Sequence, residues 1–84
     1  MYKLIIKKSA RKELDNIPNP LFLKIDKAIL TLIENPYPYP QSKKLKGEYK
    51  RRLRVGDFRV VYTIDEKQKI ITVFRIRHRK DIYR

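Results

Sequence analysis

The sequence predicts an α+β domain of two layers, in which an N-terminal helical hairpin packs on one face of an antiparallel sheet. Two observations support this fold class. The first half of the chain carries apolar residues at helical spacing, and the second half carries segments in which apolar and polar residues alternate. With 84 residues, the chain has room for one small domain, spanning residues 1–84. The predicted order of elements is β-α-α-β-β-β.

The chain is predicted to open with a short strand and a helix. Residues 2–7 (YKLIIK) alternate as a strand does, and Ser9 is a suitable residue to cap the helix that follows. Pro18 ends this helix, because proline cannot continue it. The apolar positions at helical spacing are Ala10, Leu14 and Ile17.

A second helix is predicted from residue 20 to about residue 34. Asn19 can cap it, and Pro20 suits its first position. Its apolar stripe is interpreted as core. Since only a short turn separates the two helices, they should form an antiparallel hairpin. The stripe consists of Leu21, Phe22, Ile25, Ala28, Ile29, Leu32 and Ile33.

The prolines of residues 35–40 (NPYPYP) predict an extended connector. Tyr37 and Tyr39 within it could stack on a base or cover the end of the second helix. Residues 43–47 (KKLKG) are interpreted as a basic segment leading into the sheet.

Three strands are predicted to form an antiparallel meander. Residues 49–62 (YKRRLRVGDFRVVY) give two strands joined at Gly56 and Asp57, a favourable turn pair, and residues 70–77 give the third. Strict alternation places Ile71 and Val73 on the same face as Arg77. The neighbour of the first strand in the sheet stays open. Cations should collect on the face that the helices leave free: Lys50, Arg52, Arg54, Arg59 and Arg77.

The charge of the chain limits the classes of molecule that it is expected to bind. The formal net charge is +13, from 22 Lys and Arg against 9 Asp and Glu, which favours nucleic acid or an acidic protein as partner. A charged thermophile surface is the alternative, but such surfaces usually mix both signs. The chain has no cysteine, one histidine and two glycines, so we expect no metal site, no dinucleotide fingerprint and no cofactor. Without a candidate membrane span or signal peptide, a cytoplasmic protein is expected.

A set of Lys, Arg and Tyr side chains can cleave RNA without a metal. RNA supplies its own nucleophile, the 2′-OH, and the protein must supply a base, an acid and cations that stabilise the phosphorane. Nearby Arg52 and Arg54 would disfavour the charged form of Lys50 and so help it to act as a base. Arginine stays charged and therefore suits the phosphorane.

Successive motifs resemble those of RelE-type toxins in the RelE/ParE toxin–antitoxin superfamily. They are K-L-x-G, Y-K-x-[KR]-L-R, G-x-[FY]-R-x-x-Y and a terminal H-R-x-x-x-Y, and the resemblance covers nearly the whole chain. It implies an endoribonuclease that enters the ribosomal A site, near 16S rRNA, and cuts the mRNA there. It also implies a cognate RelB-like antitoxin.

The resemblance also implies roles for individual residues. Lys50 takes the place of the general-base lysine, and Arg52 falls where the family often has a second lysine. Arg59 matches the arginine that holds the scissile phosphate. Arg79 matches the arginine proposed as general acid or leaving-group stabiliser, and Tyr83 matches a tyrosine that stacks on a base.

Further residues are expected to bind RNA rather than to act in catalysis. His78 could instead be catalytic, as a nearby histidine is in a related branch, or could pack at the surface. The expected RNA-binding residues are Lys43, Lys44, Lys46, Arg54, Arg77 and His78.

Two other functions remain open from the sequence. One is a poison of DNA gyrase, as in the ParE branch of the same fold, which would not need the set of Lys50, Arg59, Arg79 and Tyr83. The other is a basic nucleic-acid-binding module without catalytic activity.

Overall fold

The computed structural model describes residues 1–47 and 49–82, except for the side chain of Ile82. It confirms the α+β class with two layers. In the described part of the chain, no helix is long and apolar enough to cross a membrane. The elements are β1 (Lys3–Ile6), α1 (Lys8–Asp15), α2 (Leu21–Thr31), β2 (Ser42–Lys44), β3 (Arg51–Val55), β4 (Phe58–Asp65), β5 (Ile70–His78) and α3 (Arg79–Ile82).

The sheet has five strands in the order β1-β5-β4-β3-β2. The predicted meander of β3, β4 and β5 is antiparallel, whereas β1 lies parallel to β5 and makes the sheet mixed. The edge strand β2 pairs with β3. It consists of Ser42 and the first two residues of segment 43–47, which was interpreted as a basic lead-in. Its three residues, Ser-Lys-Lys, are all polar, so they show no alternation that could predict such a strand.

Both helices cover the same face of the sheet and share one core with it. Each is shorter or shifted relative to its prediction. Ser9 lies inside α1 rather than capping it, and its hydroxyl donates to the Phe74 carbonyl at 3.3 Å. The second helix begins at Leu21, after Pro20, and ends at Thr31. The largest fully buried side chains are Leu14, Ile25, Ile29, Leu32, Val60, Tyr62, Ile71 and Val73.

The pairing of β4 with β5 contains one extra residue on β5. Val61 lies opposite Arg75 and Tyr62 lies opposite Val73, so Phe74 has no partner on β4. This β-bulge corrects the prediction from strict alternation: Val73 is fully buried in the core, whereas Arg75 lies on the opposite face. The open face of the sheet, meaning the face that α1 and α2 do not cover, therefore receives Phe74 and Arg75 together.

Glu66 fixes the connector between α2 and β2. Its carboxylate accepts hydrogen bonds from the hydroxyls of Tyr37 and Tyr2 and from the Lys69 ammonium. These bonds lower the pKa of Glu66 to about 2, and the bond to Glu66 raises the pKa of Tyr37 to about 12. The contact therefore persists at neutral pH. Tyr37 holds the connector against the sheet, whereas Tyr39 is 92% exposed.

A buried polar chain joins the connector to the sheet. The Arg51 Nε donates to the Ser42 hydroxyl at 2.8 Å, and the Ser42 and Tyr62 oxygens are 2.5 Å apart. The Tyr62 hydroxyl donates to the Pro36 carbonyl at 2.7 Å. The guanidinium of Arg51, which interrupts the apolar face of β3, thus has hydrogen-bond acceptors on the edge strand β2.

Replacing Tyr62 by Phe should therefore destabilise the protein by about 1–3 kcal/mol, because the Pro36 carbonyl and the Ser42 hydroxyl lose a buried partner. Chemical denaturation would measure the loss. The matched change Tyr39→Phe at an exposed side chain should stay within about 0.5 kcal/mol of the parent. Equal stability of both variants would contradict this role of the polar chain.

Candidate nucleic-acid interface

Three arginines lie side by side across the open face. Arg54 on β3 lies opposite Arg59 on β4, and Arg59 lies opposite Arg77 on β5. Neighbouring strands are about 4.8 Å apart, and like charges directly opposite one another destabilise a sheet. The row therefore costs folding stability, and a bound polyanion would offset that cost.

Local contacts orient this arginine row. One Arg59 nitrogen donates to the carbonyls of Gly56 and Phe58, both at 2.9 Å. Gly56 has a φ of +59°, which favours glycine at the first central position of this tight turn. The turn thereby holds the Arg59 guanidinium near the end of the hairpin.

Glu13 on α1 holds the β5 end of the row. Its carboxylate accepts from Arg77 Nε at 3.0 Å and lies 3.5 Å from Arg75. It also accepts from the backbone N–H of Ile76 at 2.9 Å. Since β1 pairs with β5 only as far as Val73, Glu13 satisfies the strand edge beyond it. Arg75 and Arg77 are thus partly neutralised, whereas Arg54 stays exposed.

A cavity of about 310 Å³ opens beside β2, at the lower end of the range for small-ligand sites. Six of its nine described lining residues are cationic. Four of the predicted RNA-binding residues meet here with two of the predicted catalytic arginines. The lining residues are Pro40, Gln41, Lys43, Lys44, Leu45, Lys46, Arg52, Arg54 and Arg59.

Lys50 lies at the other end of the open face, just before β3. Its ammonium is 5.3 Å from the ring centroid of Phe74. Four residue rises separate Lys50 from Arg54, about 13 Å along the strand, and half-buried Arg52 lies between them on the same face. Lysine and arginine side chains are long enough to approach one phosphodiester from both ends of this interval.

Arg79 lies beside the turn that holds Arg59. It begins α3, its backbone N–H donates to the Asp57 carbonyl at 2.7 Å, and its Nε is 3.7 Å from an Asp57 carboxylate oxygen. The structure thus brings Arg59 and Arg79 to the same end of the sheet. Tyr83, the predicted stacking residue, lies outside the described residues.

His78 lies on the helix-covered face, away from the arginine row. Its ring packs edge to face on Phe58, with 5.4 Å between centroids. Its Nδ1 accepts the backbone N–H of Lys80 at 3.2 Å. The structure therefore separates His78 from the other predicted RNA-binding residues by the thickness of the sheet.

Sequence reasoning missed three residues that lie on the open face or contact its arginines. Glu13 gave no signal, because its partners lie more than 60 positions away. Strict alternation would put Phe74 on the same face as Ile76, and only the bulge reverses this. Lys7 was interpreted as the end of a strand, yet its ammonium also approaches the Phe74 ring, at 5.7 Å.

The family model described as ParE toxin of type II toxin–antitoxin system, parDE, matches residues 4–83. The chain belongs to this toxin family. Among curated proteins, one named toxin RelE1 from Methanocaldococcus jannaschii is 33% identical, over 99% of this chain and 96% of that protein. An Escherichia coli protein named as RelE-like is 29% identical, over 98% of this chain and 90% of that protein.

Solved structures show the same fold. The archaeal RelE–RelB complex from Pyrococcus horikoshii contains a chain that is 28% identical, with a TM-score of 0.83 and coverage of 93% of this toxin and 94% of that chain. The RelB–RelE antitoxin–toxin complex from Methanococcus jannaschii matches at 26% identity and a TM-score of 0.75, with 94% of each chain covered. The resemblance to RelE-type toxins inferred from the motifs is confirmed.

The arginine row predicts how RNA binding responds to salt. The logarithm of affinity for a single strand should fall with the logarithm of salt concentration, by about 0.7 for each neutralised phosphate. Arg54→Gln should reduce that slope by about 0.7, as measured by fluorescence anisotropy of a labelled RNA oligonucleotide. The control is Lys27→Gln on the exposed surface of α2, which should leave the slope unchanged. Equal slopes for both variants would remove Arg54 from the interface.

Proposed function

We propose that this toxin is a metal-independent endoribonuclease that cleaves mRNA in the ribosomal A site. The supporting observation is the open face itself. Lys50 lies at one end of it and Arg59 at the other, Arg52 lies between, and Arg79 lies beside the turn next to Arg59. The proposal treats residues 1–84 as a single toxin domain acting in the cytoplasm.

The reaction follows from the residue types on this face. Lys50, in its neutral form, takes the proton of the 2′-OH, and the 2′ oxygen forms a bond to phosphorus. Arg52 and Arg59 stabilise the charge of the phosphorane. The bond from phosphorus to the 5′ oxygen then breaks, Arg79 stabilises the leaving oxygen by a charged hydrogen bond, and that oxygen takes a proton from solvent water. The products are a 2′,3′-cyclic phosphate and a 5′-hydroxyl.

The surroundings of Lys50 suit a base. Within residues 1–47 and 49–82, its ammonium makes no ion pair and lies over the Phe74 ring. A carboxylate partner would favour the protonated form, which cannot accept a proton.

The ribosome would supply most of the remaining contacts. The cavity beside β2 offers Lys43, Lys44 and Lys46 next to Arg54 and Arg59, a set suited to phosphates of mRNA and of 16S rRNA around the A site. Arg77 extends the same surface towards β5. Tyr83 is proposed to stack on a base of the bound codon.

We also propose a RelB-like antitoxin as partner, because the related toxins named above were solved with RelB. An acidic or amphipathic segment would complement a chain of net charge +13 and would speed capture. It would cover the open face or displace the segment that carries Arg79 and Tyr83. Stopped-flow association should then slow steeply as salt rises, and a salt-independent rate would contradict charge-guided capture.

The ParE description of the matching family favours one competing function, the poisoning of DNA gyrase. Three parallel assays separate the candidates: programmed ribosomes, naked mRNA and gyrase supercoiling. The proposed function predicts cleavage on ribosomes and unaffected supercoiling. Inhibited supercoiling with intact mRNA would establish the gyrase alternative, and binding without either effect would indicate a simple nucleic-acid-binding module.

The sharpest test of the base is Lys50→Arg. Arginine keeps the charge and most of the reach, but it stays protonated. Because such proton transfer contributes about 10²–10⁴-fold, single-turnover cleavage on ribosomes should slow by about that factor. Binding should change little, since the net charge is unchanged.

The paired control is Lys50→Ala, which removes the base and the charge together. If Lys50 only neutralises a phosphate, Lys50→Arg should cleave nearly as fast as the parent and Lys50→Ala should be the slow variant. That order of rates would remove Lys50 from the role of base.

A further inference from the structure

Phe74 is an aromatic side chain that the β-bulge turns onto the open face. Its neighbours Val73 and Ile76 are buried under the helices, whereas Phe74 is half-exposed. The hydroxyl of Ser9 donates to the Phe74 carbonyl and thereby helps to hold the bulge. Bulges commonly re-aim a side chain next to a functional site.

Two ammonium groups approach this ring from different sides of β5. Lys7 follows β1, which pairs with β5 directly, and Lys50 precedes β3, which lies beyond β4. Their distances to the ring centroid are 5.7 and 5.3 Å, so the two ammonium groups are at most about 11 Å apart. Among the residues that the structure describes, neither ammonium is paired with a carboxylate.

We propose that Phe74 is a stacking platform for an RNA base, and that Lys7 binds a phosphate that flanks this base. The inference deepens the proposed function, because it names RNA contacts of the same face. Single strands are bound by aromatic rings on open sheets with cations beside them. As the base stacks, the flexible side chain of Lys7 would leave the ring for the phosphate, and that of Lys50 would leave it for the 2′-OH.

The position of the platform continues the basic surface already described. Lys50 connects Phe74 to Arg52, and Arg52 lines the cavity beside β2. A single strand could therefore run across the sheet from β1 to β2 and meet a cation at each step. An acidic peptide would satisfy the lysines but would have no use for the half-exposed ring, so the combination favours RNA.

The test uses a short RNA oligonucleotide made non-cleavable by 2′-deoxy sugars, with 2-aminopurine placed at each position in turn. Stacking on the protein should quench the fluorescence at one position. Phe74→Leu should abolish the quenching and weaken binding roughly 5- to 100-fold, whereas Phe74→Tyr should keep both. The matched control Phe22→Leu, on α2 against the core, should bind as the parent does.

Lys7→Gln gives a second variant at an exposed position, where folding is not at stake. It should weaken binding and lower the salt slope by about 0.7 while the quenching remains. Unchanged RNA binding and quenching in both Phe74→Leu and Lys7→Gln would overturn the proposal. A loss confined to binding of a poly-glutamate peptide would overturn it in favour of a protein partner.

Fluorescence quenching tests the stacking platform separately from the proposed ribonuclease activity. Quenching does not require cleavage, so a platform can be established even if Lys50→Arg cleaves as fast as the parent. Conversely, ribosomal cleavage by the parent without quenching at any position would leave the nuclease standing and remove the platform.

Discussion

The β-bulge in the pairing of β4 with β5 determines which side chains of β5 lie on each face of the sheet. Before the bulge, Ile71 and Val73 point into the core, and after it Ile76 does so. Without the extra residue, Arg75 and Arg77 would be directed under the helices, where a charge without a partner is costly to bury. The bulge therefore allows one strand to complete the core and to extend the basic face.

One face of the sheet provides the stability of the protein, and the other face carries its proposed activity. The core of α1, α2 and the sheet supplies the apolar burial, and the buried chain from Arg51 to Pro36 ties the connector to it. The open face contributes repulsion between Arg54 and Arg59, relieved near β5 by Glu13. Function thus rests on a surface that the rest of the molecule must hold in place.

Much of this arrangement could be predicted from the sequence, because periodicity reports burial directly. The stripe of α2 and the alternation in β3 and β4 fixed the helix layer, the meander and the faces of Arg52, Arg54 and Arg59. What escaped prediction depends on contacts distant in sequence. The bulge at Phe74 changes the phase within a strand, and Glu13 acts on residues that its own helix pattern does not reveal.

Short or irregular elements also escaped prediction. The three residues of β2 are recognisable as a strand only through their pairing with β3, and β1 has its place in the sheet through its parallel pairing with the distant strand β5. His78 is adjacent to Arg77 and Arg79 in sequence but lies on the other face of the sheet. Sequence proximity within a strand is thus a poor guide to a shared site, because successive side chains point to opposite faces.

The central claim is that this face cleaves RNA by means of the substrate's own 2′-OH. The most direct measurement is the chemistry of the fragment ends, from programmed ribosomes incubated with the toxin. The account predicts a 2′,3′-cyclic phosphate on the upstream fragment, a 5′-hydroxyl on the downstream fragment, and no cleavage where the A-site nucleotide carries a 2′-deoxy sugar. A 3′-hydroxyl with a 5′-phosphate, or equal cleavage of the deoxy substrate, would contradict it.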